Sequence, residues 1–100
     1  MTTTIQSVHF DADQKLKDFT EEKVSKLSQY YDGIIRGDVT FRLDKSDVNE
    51  NKIAEIRLHV PGNDLFSKKQ CASFEEAVDT ACDALKTQIK KHKEKLHSVK

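Results

Sequence analysis

Two different hydrophobic periods run along this chain, and the switches between them predict its elements. Thr2 to Val8 is β-branched and polar by turns, which reads as a short strand. After Phe10, Asp11 and Asp13 offer a helix cap, and Leu16, Phe19, Val24, Leu27 and then Tyr30 or Tyr31 recur at helical steps. Gly33 is expected to stop this helix, as a residue free to take positive φ. Val39, Phe41 and Leu43 then alternate with Asp38, Thr40 and Arg42, the pattern of a half-buried strand. Asp44 to Lys52 is polar except for Val48 and reads as a long hairpin loop. Ala54, Ile56, Leu58 and Val60 alternate with Glu55, Arg57 and His59 in a second half-buried strand. Pro61 and Gly62 occupy the central positions of a type II turn, and a shorter strand follows from about Asp64 to Cys71. Ser73 and Glu76 form a capping box. From there Phe74, Val78, Ala81, Leu85, Ile89 and Leu96 repeat at three- and four-residue steps, as in a helix with one buried face.

The order β-α-β-β-β-α predicts an α+β fold. Three consecutive strands favour an antiparallel meander with the first strand added beside it. Clean alternation leaves one sheet face covered and the other wet. Both amphipathic helices must then lie on the covered face, giving a two-layer sandwich with a four-stranded sheet, an architecture like that of double-stranded-RNA-binding domains. The 100 residues are enough for one domain and one core. The chain is expected to be a single unit over residues 1–100, with His97 to Lys100 as its tail.

Charge changes the picture more than composition does. Seventeen Lys and Arg balance 17 Asp and Glu, so any polyanion binding must come from segregation of charge. The last helix supplies that segregation. Glu75, Glu76, Asp79 and Asp83 lie in its first turns, whereas Lys86 to Lys100 holds six lysines and one acid, Glu94. At roughly 100° per residue, Lys86, Lys90, Lys93 and His97 fall on one flank of the apolar stripe, and Lys91 and Lys95 on the other. Cations at a helix C-terminus also suit its dipole, so a solvated helix end competes with a phosphate-binding surface. The asymmetry along the helix favours binding, because each ammonium can displace a condensed counterion from a nucleic acid. Lys23 lies within the apolar arc of the first helix and must snorkel from a seam between elements. With Lys26, it could broaden one basic flank if the helices pack side by side.

Other chemistries find little purchase. The N-terminus has no cationic start and no long apolar run, and no stretch approaches the length of a bilayer span. A cytoplasmic location is therefore expected, with no membrane partner and with Cys71 and Cys82 as reduced packing residues. Cys82 lies at the edge of the helical stripe, and Cys71 ends a strand. His92 falls within the apolar arc and reads as a packing histidine. No metal-ligand spacing, glycine-rich phosphate loop or nucleophile-base pattern is present, so no cofactor, metal, small-molecule substrate or enzymatic activity is expected. An acylphosphatase-like enzyme would need a phosphate cradle that Gly33, Gly37 and Gly62 do not form.

The segment FEEAVDTACDALKTQIKKHKEKL, from Phe74 to Leu96, resembles the signature helix of the ribosome hibernation promoting factor family, which includes the ribosome-associated translation inhibitors. FTEEKVSKLSQYYDGI, from Phe19 to Ile34, resembles the first helix of that family, and the likeness covers essentially the whole chain. The resemblance implies a bacterial stress-response factor that binds the small ribosomal subunit in slow growth or stationary phase. It would occupy the channel of messenger RNA and transfer RNA and inhibit translation. The implied partners are ribosomal RNA and neighbouring ribosomal proteins, with a second ribosome-dimerising factor as a further candidate. Carried over by position, Lys23 and Lys26 match lysines of the first helix, and Lys90, Lys91, Lys93 and Lys95 match the basic end of the second. Lys86 joins them because it continues the Lys90 and Lys93 stripe. The C-terminal dimerisation domain of long members and the tail of the inhibitor subgroup are both expected to be absent. Sparse aromatics with basic stripes suit RNA recognised by shape, which a general double-stranded-RNA-binding module would also use. The mixed charges of Arg42, Glu55, Arg57 and His59 leave a protein-binding sheet face as a further alternative.

Overall fold

The computed structural model describes residues 1–45 and 49–98, with side chains described as far as Lys95. Strand β1 (Thr2–Ser7) leads into helix α1 (Gln14–Ser25) and a 3₁₀ turn, Lys26–Gln29. Strands β2 (Arg36–Leu43), β3 (Lys52–Val60) and β4 (Asn63–Cys71) follow, and helix α2 (Phe74–Ser98) comes last. The sheet order is β1-β2-β3-β4, with β1 parallel to β2 and the remaining pairs antiparallel. A parallel pair needs a crossover, and α1 is that crossover. The meander, the added first strand and the two-layer arrangement are as the periodicity predicts.

Local chemistry sets the element ends. Asp13 is extended, and its carboxylate accepts from the Leu16 amide at 2.8 Å, the N-cap expected for α1. The opposite end departs from expectation. The α-helix gives way to the 3₁₀ turn at Lys26, before Gly33 is reached, and Gly33 has no positive φ. A Cβ at Gly33 would overlap the tip of the Tyr31 ring, which would have to move aside. Gly62 does take a positive φ, 77°, which lets β3 and β4 join through Pro61 and Gly62. β4 equals β3 in length, at nine residues each, because it pairs along the whole of its neighbour. The Glu76 amide donates to Ser73 Oγ at 3.1 Å, while the Glu76 carboxylate accepts from the Ala72 amide, one residue beyond an ordinary capping box. His97 and Ser98 belong to α2 and not to a tail.

The core lies between sheet and helices. Val39, Phe41, Ala54, Ile56, Leu58 and Val60 point inward from the sheet, meeting Val24 and Leu27 from the first helical segment and Val78, Ala81, Leu85 and Ile89 from α2. Gly37 also faces this layer. A Cβ there would come within 3.0 Å of Val24 Cγ1 and 3.2 Å of Leu58 Cδ2, so its absence lets α1 settle on the sheet. Phe74 closes one end, stacked on Phe10 at 4.9 Å between centroids and edge-on to Phe41 at 5.0 Å. Between the helices, Lys23 reaches Asp79, Tyr30 lies under Lys86 and Tyr31 meets His92. The contacts climb in the same order along both segments, so the helices run in the same direction, side by side.

Alternation of the sheet breaks near the polar loop, where Leu43, expected to continue the inward series of Val39 and Phe41, is 43% exposed. Ile53 belongs to the outer face, opposite Arg42 and Gln70, yet is buried. Nearby, the Gln70 side chain donates to Asp44 and to the Glu50 carbonyl, both at 2.8 Å, tying together the ends of the polar loop.

Candidate nucleic-acid interface

The second helix carries the cationic face because its sequence sustains a helix beyond the point where a core requires one. Ile89 is the last fully buried residue, and no described side chain after it is buried. Good helix formers keep the chain helical, and the lysines at this end complement the helix dipole as the acids do at the start. Lys90, Lys91 and Lys95 are exposed, whereas Lys86 and Lys93 are half-buried. Leu96 and His97 of the predicted stripes lie outside the described side chains.

The fold gives the two lysine flanks different neighbours. Lys86 faces the first helical segment, with its Nζ 4.9 Å from the centre of the Tyr30 ring. This cation-π contact holds the ammonium at the seam. Lys90 and Lys93 continue that flank one and two turns on. Lys91 and Lys95 lie on the other side, where they join Gln88 and His92 in lining a groove against Asn63 and Leu65 of β4.

The two first-helix lysines sit elsewhere. Lys23 Nζ is 3.1 Å from Asp79 Oδ1 and 5.7 Å from the Phe19 ring centre, so it does snorkel along an apolar neighbour. The hydrogen bond to Asp79 and the charge of that carboxylate raise the Lys23 pKa above its ordinary value. Asp79 precedes Lys90 by roughly 16 Å along the helix axis, at 1.5 Å per residue. Lys23 therefore stands beside the acidic half of α2, with its charge matched. Lys26 pairs with Glu22 of its own helix at 3.4 Å.

The arginines of the outer sheet face are paired with acids, while Lys68, exposed opposite Glu55 on the same face, forms no ion pair among the described residues. Arg42 pairs with Glu55 at 3.2 Å, Arg57 with Asp64 at 3.5 Å and Arg36 with Asp38 at 3.4 Å. His59 stands between Asp38 at 2.7 Å and Asp64 at 3.3 Å. Hydrogen bonding from the Thr4 hydroxyl is the main cause holding the Asp38 carboxyl below its ordinary value, with His59 and Arg36 adding to it. Exposed pairs like these contribute little to stability, but they cancel the field a phosphate backbone would feel. Phe66, 41% exposed beneath the Arg57 guanidinium, is an outward aromatic that the strand pattern alone did not single out. Its signal was the alternation of Leu65 and Ser67 about it.

The remaining reactive groups are quiet. Burial pushes the Cys82 thiol up to about 12, so it stays protonated. Among the described residues, no group of His, Cys, Asp and Glu is placed to hold a metal ion, and no helix is long and apolar enough to cross a membrane.

Known proteins share this fold and are similar in sequence. The ribosome hibernation promoting factor of Pseudomonas putida is 29% identical over 99 residues, covering 99% of this chain and 93% of that protein. That of Azotobacter vinelandii is 33% identical over 95 residues, covering 95% and 85%. Against the ribosome hibernation promotion factor of Bacillus subtilis, 30% identical, 97% of this chain matches 51% of the longer protein. The Protein Y N-terminal domain of Thermus thermophilus superposes with a TM-score of 0.79 at 26% identity, over 92% of this chain and 99% of that domain. A ribosomal subunit interface protein of Coxiella burnetii shares the fold, with a TM-score of 0.84 at 22% identity over 94% and 99%. The sequence profile of one family spans residues 3–97. With a match over nearly its full length, the chain belongs to the family described as Sigma 54 modulation protein / S30EA ribosomal protein.

Proposed function

We propose that this chain is a ribosome hibernation factor, a single ribosome-binding domain that docks on small-subunit ribosomal RNA and silences translation from the channel of messenger RNA and transfer RNA. The observation that carries the reading is the C-terminal half of α2. It runs on past the last core residue, Ile89, with lysines on both flanks and Glu94 as the acid among residues 86–95. The outer sheet face competes poorly for a polyanion, because its arginines are paired with acids and Lys68 stands apart from the helical lysines. Lys86, Lys90, Lys91, Lys93 and Lys95 are the proposed phosphate contacts. Lys23 and Lys26 contribute once RNA competes with Asp79 and Glu22 for their ammonium groups.

The test is co-sedimentation of the chain with purified small subunits across a salt series, alongside translation of a reporter messenger RNA. The expected result is binding that weakens steeply with salt and translation that falls as the chain occupies ribosomes. Excess plain RNA duplex should not displace it. Displacement by duplex would favour a general double-stranded-RNA-binding module, and absence of ribosome binding would end the proposal.

A further inference from the structure

We propose that the groove between α2 and the start of β4 receives one unstacked nucleotide of the bound RNA strand, giving the Lys91 flank a base-binding role that the Lys86 flank lacks. The inference rests on the ribosomal-RNA reading above and deepens it.

The groove is lined by Asn63, Leu65, Gln88, Lys91, His92 and Lys95, is open on one side, and offers about 200 Å³. That is below the roughly 300–1,000 Å³ typical of pockets for drug-sized ligands, a size suited to a single heterocyclic base. Its walls divide by chemistry. Leu65, a core residue, and the His92 imidazole supply apolar and aromatic surface against which a base can lie. Tyr31 packs at 69° to the His92 ring, 5.3 Å between centroids, and so steadies that wall from the other helical segment. Asn63 is exposed at the mouth and offers an amide that can donate to and accept from a base edge. Gln88 is committed to the Phe66 backbone and braces the floor.

Lys91 and Lys95, one turn apart at the rim, match the phosphates on either side of an inserted base. This charge complementarity selects a nucleotide over an uncharged ligand. Insertion of unstacked bases against aromatic side chains is a usual route to single-stranded RNA recognition. The groove thus combines a base-sized slot, an aromatic wall and two rim cations, which the Tyr30 side of the helix does not.

The experiment uses the full chain, isotope-labelled, titrated with single-stranded RNA pentanucleotides and with abasic strands of the same length. The expected result is that base-bearing strands shift the Asn63 side-chain amide, the Leu65 methyls and the His92 ring, whereas abasic strands shift the side-chain signals of Lys91 and Lys95 and leave those three in place. Asn63→Ala, at an exposed position, should weaken pentanucleotide binding by about fivefold, the loss of one hydrogen bond. His92→Ala should weaken it by roughly five- to hundredfold, the range for one base-aromatic stack. Neither change should alter binding of the abasic strand. Equal binding of abasic and base-bearing strands would overturn the proposal, as would a free mononucleotide that binds as tightly as the strand. Because no ribosome is present, these outcomes are read independently of co-sedimentation: ribosome binding can stand while the groove fails.

Discussion

The side-chain amide of Gln88 pairs with both main-chain groups of Phe66, accepting from its N–H at 3.2 Å and donating to its carbonyl at 2.7 Å. A residue of α2 thereby plays the part of a neighbouring strand for the edge strand β4. Unpaired strand edges invite pairing with other chains, and here the helix that carries the candidate RNA surface also shields the adjacent edge. The same amide fixes the distance between α2 and β4, and with it the width of the groove beside Lys91.

Replacing Gln88 with Ala should therefore have two effects. Stability should fall by about 1 kcal/mol, since the freed backbone groups can turn to water, and this would show in the urea midpoint. The uncovered edge should also promote self-association that grows with concentration, visible by light scattering. Unchanged midpoint and scattering would mean that the amide pair contributes nothing to either.

The two lysine flanks can be separated by substitution. Changing Lys86, Lys90 and Lys93 to Ala should leave the fold intact: surface changes usually move stability by about half a kcal/mol or less each, and losing the Lys86 contact with Tyr30 adds about 0.5–1 kcal/mol. Ribosome affinity should drop far more, and the slope of log affinity against log salt should shrink by roughly one unit for each phosphate no longer neutralised. The Lys91→Ala, Lys95→Ala pair is the comparison. A triple variant that binds ribosomes like the parent would reduce its stripe to a solvated helix face.

Asp38 predicts an acid-sensitive component of stability. Its carboxyl titrates below the ordinary 3.8 in the folded chain, so the folded state favours the carboxylate. The corresponding stability is present above 3.8 and is lost as pH falls from there through the lower folded value. Thr4→Val removes the main cause of the shift and should shrink this acid-dependent loss, measured by urea midpoints from neutral pH down through the carboxylate range. Identical pH profiles for parent and variant would contradict the assignment.

Thr20 is fully buried, and its hydroxyl has no hydrogen-bond partner among the described atoms. Thr20→Val keeps the shape and deletes the unpaired group, so it should be neutral or stabilising by up to about 1 kcal/mol. A clear loss of thermal stability would show that the hydroxyl is satisfied in solution.

Gly37 should tolerate no side chain cheaply. Gly37→Ala drives a methyl group against Val24 and Leu58, and overpacking of this kind costs about 1–3 kcal/mol. Thermal melts of this variant against Thr20→Val would distinguish a crowded layer from one with slack.

What the sequence determined by itself was everything carried by local periodicity and local capping. Period-two alternation gave β2, β3 and the inward set of Val39, Phe41, Ile56 and Leu58, while period near 3.6 gave α2, its buried stripe and its two lysine flanks. Asp13 and Ser73 announced helix starts because a cap acts within three residues of itself. Gly33 misled for the complementary reason: the helical segment ends at Gln29, before Gly33 is reached, and Gly33 takes no positive φ. The tertiary structure alone decided what the lysines face. Helical spacing assigns Lys23 to a seam, but only the side-by-side register of the helices puts Asp79 there to match its charge. Spacing likewise places Lys91 and Lys95 on one flank, yet the groove exists because the sheet brings Asn63 and Leu65 beside it. Neighbours distant in the chain meet through packing of the whole core, and no window along the sequence contains both sides of such a meeting.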